Sequence, residues 1–273
     1  MLGLSRMQLL AMAGPGVAML LLFFIAPLAV VVTSAFSDGG HAFSGVFADP
    51  VFWRGLRGTL LLSLTSSSVS LVVGFLVALY IARLGENFRT ALMFFISLPL
   101  TFSGLIVAYG FILVFGRAGF VTLLLAEVGI DPALFAGFIY SPIGLAFAYS
   151  YYLIPRVILL LLPVFVNFDT RQLLAAEGMG ATHWKAVRDI LIPQVIPSAA
   201  AALCLVAAVA LGAYGTALAL VGTQLNILPL LIYSKISETG ADFPSAAALS
   251  LLLLAMCSLV MGAGEAFASS RES

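Results

Sequence analysis

Charged side chains are scarce in this sequence. Asp, Glu, Lys and Arg make up only 9% of the 273 residues, and 12 basic residues balance 12 acidic ones to a net charge of zero. Nucleic-acid-binding proteins carry a basic surface that faces the phosphates. A chain with so little charge and no excess of either sign offers no such surface.

Histidine and cysteine are equally rare, with two of each. No cluster of these residues has the spacing of a zinc site. His41 and His183 both fall in polar segments, which argues against an intramembrane serine hydrolase, since that enzyme needs a histidine within its spans. Cys204 and Cys257 fall in apolar runs and are predicted to be packed thiols. A Gly-rich loop followed by Lys-Ser or Lys-Thr is missing too, so the chain cannot bind ATP as P-loop proteins do.

Hydrophobic residues are abundant, at 62% of the chain with a mean hydropathy of +1.16. Each of six apolar runs is long enough to cross about 30 Å of hydrocarbon, which takes roughly 20 residues. In lipid, the backbone polar groups of such runs must bond within the helix. The sequence therefore predicts an all-α integral membrane protein, a single domain over residues 1–273. Its predicted spans are residues 9–36, 59–82, 91–115, 141–164, 198–221 and 243–267.

Two of these runs have alternative interpretations. The first resembles a signal peptide in position, but its length, with Pro15 and Pro27 inside it, favours a retained span. The second begins with a Ser/Thr-rich stretch, residues 63–70, followed by Gly74. Small residues let helices approach closely in lipid, so close helix packing is the favoured interpretation and a solute contact is the alternative.

Residues 169–197 form a polar segment between the fourth and fifth runs. The pattern predicts two short helices that meet at a Gly-Met-Gly turn, residues 178–180, because glycine permits a sharp turn. Asp169 is predicted to cap the first helix, with Gln172 as its return partner in a capping box. Thr182 is predicted to cap the second helix.

The second of these helices has one apolar face and a predicted end. Trp184, Val187 and Leu191 fall on one stripe, and Trp184 is expected to anchor the helix against the membrane-side bundle. Pro193 and Pro197 are predicted to close the segment, because proline interrupts helical hydrogen bonding.

The segment resembles the cytoplasmic loop of permease subunits of ABC importers. That loop reads Glu-Ala-Ala, three residues, Gly, nine residues, then apolar-x-apolar-Pro. The matching residues are Ala175, Ala176, Gly180, Ile190, Ile192 and Pro193, whereas Leu174 stands where the family has glutamate. The resemblance implies that residues 169–197 are a coupling loop that contacts an ATPase through Ala175, Ala176, Glu177, Gly180, Ala181, Thr182 and Trp184.

The likeness extends to the spermidine/putrescine permease family. The six-run layout, the Phe-Gly-Arg turn at residues 115–117 and the region 213–248 are similar to it. Relatives of that family carry aminoethylphosphonate, thiamine, ferric iron or molybdate. The resemblance implies an importer subunit in a bacterial cytoplasmic (inner) membrane, forming half of the pathway for a small organic solute, polyamine-like or phosphonate-like.

Several partners follow from the same resemblance. It implies a second permease subunit, similar or identical, two cytoplasmic ATPase subunits, an external solute-binding protein and membrane lipid, with no nucleic acid. This chain would bind no cofactor or metal and catalyse no reaction, because ATP and Mg²⁺ belong to the ATPase. The alternatives are a secondary carrier or channel subunit not coupled to an ATPase, and a structural membrane protein.

Six spans place both chain ends on one side of the membrane. If the ends are cytoplasmic, the inner segments carry seven basic residues and the outer segments four, which is the direction of the positive-inside rule. This orientation also puts residues 169–197 in the cytoplasm. The inner residues are Arg6, Arg83, Arg89, Arg171, Lys185, Arg188 and Arg271, and the outer ones are Arg54, Arg57, Arg117 and Lys235.

Polar and aromatic residues inside the runs are candidates for the solute pathway. Aromatic faces suit amine cations, although tyrosines also anchor helices at membrane interfaces. Arg156 is distinctive, because a charge at that depth costs on the order of 3 kcal/mol unless it is paired, snorkels or faces water. If it lines the pathway, it favours an anion such as a phosphonate over a polyamine. The other candidates are Ser103, Tyr109, Tyr149, Tyr151, Tyr152, Tyr214 and Thr216.

Overall fold

The computed structural model describes residues 6–237 and 241–269, and regular structure in that part of the chain is entirely helical. Six helical segments there are long and apolar enough to cross a membrane, which confirms the predicted fold class. Both chain ends, with Arg271, lie outside the described residues. The helices are α1 (Arg6–Leu20), α2 (Ala26–Ala35), α3 (His41–Ala48), α4 (Pro50–Ala82), α5 (Glu86–Ser97), α6 (Gly104–Phe115), α7 (Phe120–Glu127), α8 (Pro132–Ile139), α9 (Pro142–Val166), α10 (Arg171–Gly178), α11 (His183–Ala186), α12 (Ile192–Leu211), α13 (Gly215–Val221), α14 (Leu228–Ser237) and α15 (Phe243–Ser269).

The core of the bundle lies where α4, α9 and α12 pack together, and α15 covers α12 on the other side. Ser67 and Ser70 on α4 are fully buried, and Ser63 donates a hydrogen bond across to the Ala207 carbonyl at 2.8 Å. A Cβ on Gly74 would lie 2.7 Å from Val157 of α9. The small residues of α4 therefore serve close helix packing, as the favoured interpretation of this stretch predicts.

Spans one, four and six agree with the sequence prediction, since they cover Ala13–Ala35, Pro142–Val166 and Phe243–Ser269. Span two begins earlier than predicted, at Pro50, because the Asp49 carboxylate accepts a hydrogen bond from Val51 N at 2.8 Å and caps the helix there. Residues 37–57, which lie between the first two predicted spans, are consequently largely helical, formed by α3 and the first turns of α4.

Span three does not begin at residue 91. Pro99 ends α5 in a short 3₁₀ turn, Leu98–Thr101, and the chain becomes helical again only at Gly104, with Ser103 as its cap. The membrane-crossing segment then runs over Gly104–Glu127.

Span five is also shifted, because Pro193 and Pro197 do not close the polar segment. A π-helical turn over Val187–Leu191 directly precedes Pro193, and Pro197 is buried inside α12. The wider turn accommodates a proline that removes one backbone donor and crowds the carbonyl four residues earlier. One helical segment therefore runs from His183 to Leu211.

Candidate functional site

Two helix breaks meet near the middle of the bundle. One is the irregular stretch between α5 and α6, and the other is Gly212–Tyr214 between α12 and α13. Thr216 Oγ1 donates a hydrogen bond to the Gly104 carbonyl at 3.0 Å and joins them. A Cβ on Gly104 would lie 2.6 Å from Thr216 Oγ1, so the glycine at this position allows the starts of α6 and α13 to approach this closely.

A cavity of about 270 Å³ lies beside this junction. It brings together four of the predicted pathway residues from separate parts of the sequence: Tyr152, Arg156, Tyr214 and Thr216. The rest of the wall was not predicted, because it is formed by uncharged residues at or near the two helix breaks. Those residues are Pro99, Phe102, Gly104, Val209, Gly212, Ala213 and Gly215.

Arg156 is partly buried at the cavity wall. One guanidinium nitrogen donates to the Tyr152 carbonyl at 2.8 Å, and the guanidinium carbon lies 5.5 Å from the centre of the Tyr152 ring. The ion pairs among the described residues are His183–Glu177, Arg188–Asp189 and Lys235–Asp242, so Arg156 has no carboxylate partner there.

The tyrosines of α9 point in different directions. Tyr149 is fully buried and donates a 2.5 Å hydrogen bond to the Ala213 carbonyl, which holds the second helix break in place. Tyr152 packs against it, yet its hydroxyl is buried without a hydrogen-bond partner in the described part of the chain. Tyr151 faces away and is exposed.

Two further predicted residues lie outside this cavity wall. Ser103 caps α6 by accepting a hydrogen bond from Ile106 N at 3.4 Å, next to two wall residues. Tyr109 is 56% exposed on α6. Tyr151 belongs to a second groove of about 480 Å³ that α6 and α9 line mainly with apolar aliphatic and Phe side chains. That groove lacks the polar groups that would orient a polar solute.

The polar segment folds into a tight elbow. α10 ends at Gly178, and Gly180 adopts a φ of +91°. Gly180 N donates to Glu177 O at 2.9 Å and Ala181 N donates to Ala176 O at 3.0 Å, the two bonds of a Schellman cap. Thr182 Oγ1 then accepts from Lys185 N at 3.4 Å and caps α11, as predicted.

One side-chain hydrogen bond joins the elbow to the bundle, and two others lie within the elbow segment. The Asp169 carboxylate accepts from Arg171 N at 2.9 Å, but the predicted capping box is wrong. Gln172 instead accepts a hydrogen bond from Gln194, on α12, at 2.8 Å. Within the elbow, Glu177 Oε1 lies 2.6 Å from His183 Nδ1.

The outer surface of the elbow is uncovered in the single chain. Trp184 is 69% exposed, so its expected anchoring against the bundle is wrong. Among the described residues, no atom beyond the chain neighbours lies within 4 Å of the Cβ position of Gly180, and Ala175 and Ala181 are not buried either. Ala176, also predicted to contact the ATPase, is buried. A small-residue surface with one large exposed indole is free to meet a partner.

Residues 70–272 match the family of binding-protein-dependent transport system inner membrane components. The chain belongs to this family. Membership confirms the resemblance to ABC importer permeases drawn from residues 169–197, and it makes the chain a transport subunit of the inner membrane.

Sequence relatives of this permease differ in their solutes. It is 27% identical to sulfate permease 2 of the Chlamydomonas reinhardtii chloroplast over 91% of this chain, spanning 66% of that protein. It is 24% identical to the sulfate permease CysT of Escherichia coli K12, covering 91% and 88% of the two chains. It is 24% identical to the spermidine/putrescine permease PotB of Haemophilus influenzae, covering 78% and 74%. The solute is therefore not fixed by family membership.

The permease fold is also found in a solved structure. A chain of the bacterial alginate ABC transporter, in complex with an alginate pentasaccharide-bound periplasmic protein, superposes with a TM-score of 0.76 at 22% identity. The match covers 94% of this chain and 92% of the other.

Proposed function

We propose that this chain is one permease subunit of an ATP-driven importer and forms half of a solute pathway at the Arg156 cavity. Its partners are a second permease, two cytoplasmic ATPase subunits that hold ATP and Mg²⁺, and an external solute-binding protein. The observation that carries the proposal is the elbow at Gly180, where two of the three small residues of the family's coupling motif, Ala175 and Gly180, are uncovered.

The path from elbow to cavity suggests how ATP binding opens the pathway. The helical segment His183–Leu211 starts at the elbow and ends next to Gly212 of the cavity wall. Its 29 residues correspond to about 43 Å at a rise of 1.5 Å per residue. A rotation of the elbow by the ATPase pair would move this segment as a rigid body and change access to the cavity.

A secondary carrier remains the alternative function, and the site argues against it. Ion-coupled carriers use ionisable groups within their spans as proton or sodium relays. The cavity wall contains no carboxylate, and its charged residue is Arg156 alone. Without such ion-coupling groups in the cavity wall, the energy for transport comes, in this proposal, from a separate ATPase.

The proposal is tested by purification of the membrane complex through a tag on this chain. An ATPase subunit is expected to purify with it, and ATP hydrolysis is expected to rise when the binding protein is added with its solute. A chain that transports its solute without any ATPase would contradict the proposal.

Topology gives a second test. The charge bias predicts that the elbow is cytoplasmic, so Ala181→Cys, in a background with Cys204 and Cys257 replaced by alanine, should resist an impermeant thiol reagent in intact cells. It should react after permeabilisation. Ser44→Cys, exposed on α3 at the predicted outer side, is the matched control and should react in intact cells. Labelling of Ala181→Cys from outside would reverse the proposed orientation.

A further inference from the structure

The Arg156 cavity contains acceptors that are already used. The Ala213 carbonyl accepts from Tyr149 at 2.5 Å, the Gly104 carbonyl accepts from Thr216 at 3.0 Å, and the Tyr152 carbonyl accepts from Arg156 at 2.8 Å. Each of these carbonyls belongs to a residue on or beside the wall. An ammonium group would have to share these oxygens with donors already in place, because each carbonyl has two lone pairs and one of them is taken.

The donors, in contrast, are not all used. A guanidinium has five N–H groups, and the side-chain bond found for Arg156 uses one of them. The Tyr152 side chain is 7% exposed and lines the cavity. Its buried hydroxyl makes no hydrogen bond of normal length among the described residues, although the Thr216 hydroxyl is close enough to compete for its proton. A buried polar group without a partner is costly, and a ligand that accepts its hydrogen bond removes that cost.

The adjoining helix adds to the same preference. α6 has 12 residues, and its first residue, Gly104, is part of the cavity wall. The N-terminus of a helix carries a partial positive charge, and discontinuous transmembrane helices use it to hold anionic groups near the membrane midplane. Arg156, the 15th residue of the 25-residue α9, lies on the same cavity wall as this N-terminus.

A polyamine finds less on this wall than an anion does. No acidic residue lines the cavity to balance an ammonium charge, and the Tyr152 ring already lies 5.5 Å from the Arg156 guanidinium carbon. Phe102 and Tyr214 could offer aromatic faces to an ammonium group, but they share the wall with the positive charge of Arg156.

From these contacts we propose that the cavity is a subsite for a small oxyanion, such as an inorganic sulfate or an organic phosphonate. The Arg156 guanidinium holds the charge and the Tyr152 hydroxyl donates a second hydrogen bond. The inference rests on the proposed importer function, since it names the solute class of that pathway. Tyr214 and Thr216 complete the wall, and Tyr149 positions the break that carries Ala213.

The intact transporter, with its ATPase and binding protein in proteoliposomes, provides the test. Uptake is measured for labelled sulfate, molybdate and aminoethylphosphonate, with labelled spermidine as the cationic probe. At least one oxyanion should be carried and spermidine should not. Arg156→Gln should lower oxyanion uptake at sub-saturating concentration by about tenfold or more, and Arg156→Lys by less, because a charged hydrogen bond is lost in the first and retained in part in the second.

Tyr152→Phe removes only the unpartnered hydroxyl and should lower uptake by roughly threefold to tenfold. Arg54→Gln and Tyr80→Phe, both exposed and away from the cavity, are the matched controls and should transport normally. Spermidine uptake, no oxyanion uptake by a complex that hydrolyses ATP, or full oxyanion uptake by Arg156→Gln would each overturn the oxyanion site. All variants should keep their ATPase. A wild-type complex that transports its solute without any ATPase would overturn the importer proposal instead, so the two failures are distinguishable.

Discussion

Replacement of Gly180 by valine is expected to leave the chain in the membrane while it loses its bound ATPase and all ATP-driven uptake. Gly180 has a φ of +91°, a region that costs an L-residue about 1–2 kcal/mol and a β-branched residue more. The turn would escape this strain by changing its direction. The Schellman cap formed by Gly180 N and Ala181 N would then open, and the two elbow helices would no longer present one surface.

The loss would be large because, in this proposal, the elbow is the only part of the chain through which the ATPase drives transport. Ala176 and Glu177 supply the carbonyls of the cap, so α10 would also shift at its end. Co-purification of the ATPase, binding-protein-stimulated ATP hydrolysis and solute uptake are the three measurements. A variant that keeps its ATPase and its uptake would show that Gly180 merely ends a helix.

Gly129 provides a closely matched control. It has a φ of +89° at the end of α7, no atom within 4 Å of its Cβ position, and the same pair of capping bonds, Gly129 N to Ala126 O and Ile130 N to Leu125 O. In the proposed orientation it lies on the external side. Gly129→Val therefore imposes the same backbone strain away from the ATPase and should retain ATPase binding and most of its uptake.

Local patterns predicted the elbow well because its geometry is set by neighbouring residues. The Gly-Met-Gly turn and the Thr182 cap depend only on backbone conformation within one segment. The predicted role of Pro193 failed because a π-helical turn, Val187–Leu191, absorbs its effect. Gln172 failed as a capping-box partner because Gln194, 22 residues later, competes for its side chain.

The cavity could be predicted only in part. Arg156 stands out in any sequence of this hydrophobicity, since intramembrane charge is expensive. Tyr152 and Tyr151 are adjacent in sequence, and only the packing of α9 against α4 and α12 decides which of them faces inward. Gly104 and Gly212 carry no chemical signal of their own. They reach the cavity because two helix breaks, more than 100 residues apart, are joined by Thr216.

Replacement of Gly74 by leucine is expected to lower the stability of the chain strongly. The Cβ alone would lie 2.7 Å from Val157 Cβ and Cγ1 and 3.3 Å from the Ile154 carbonyl, and Val157 is fully buried. Neither a buried β-branched side chain nor backbone can move aside cheaply. Overpacking at such a contact costs about 3 kcal/mol, the upper part of the usual range.

The same substitution should also impair transport, because Val157 directly follows Arg156 on α9. Separation of α4 from α9 would displace the Arg156 guanidinium and the Tyr152 hydroxyl from the cavity.

Thermal unfolding of the purified complex should show a clear decrease in midpoint for Gly74→Leu and a smaller one for Gly74→Ala. Gly262→Leu is the control, because that helical glycine of α15 has no atom within 4 Å of its Cβ position. An unchanged midpoint for Gly74→Leu would mean that α4 and α9 do not pack this closely, and that the small residues of α4 face the solute pathway instead.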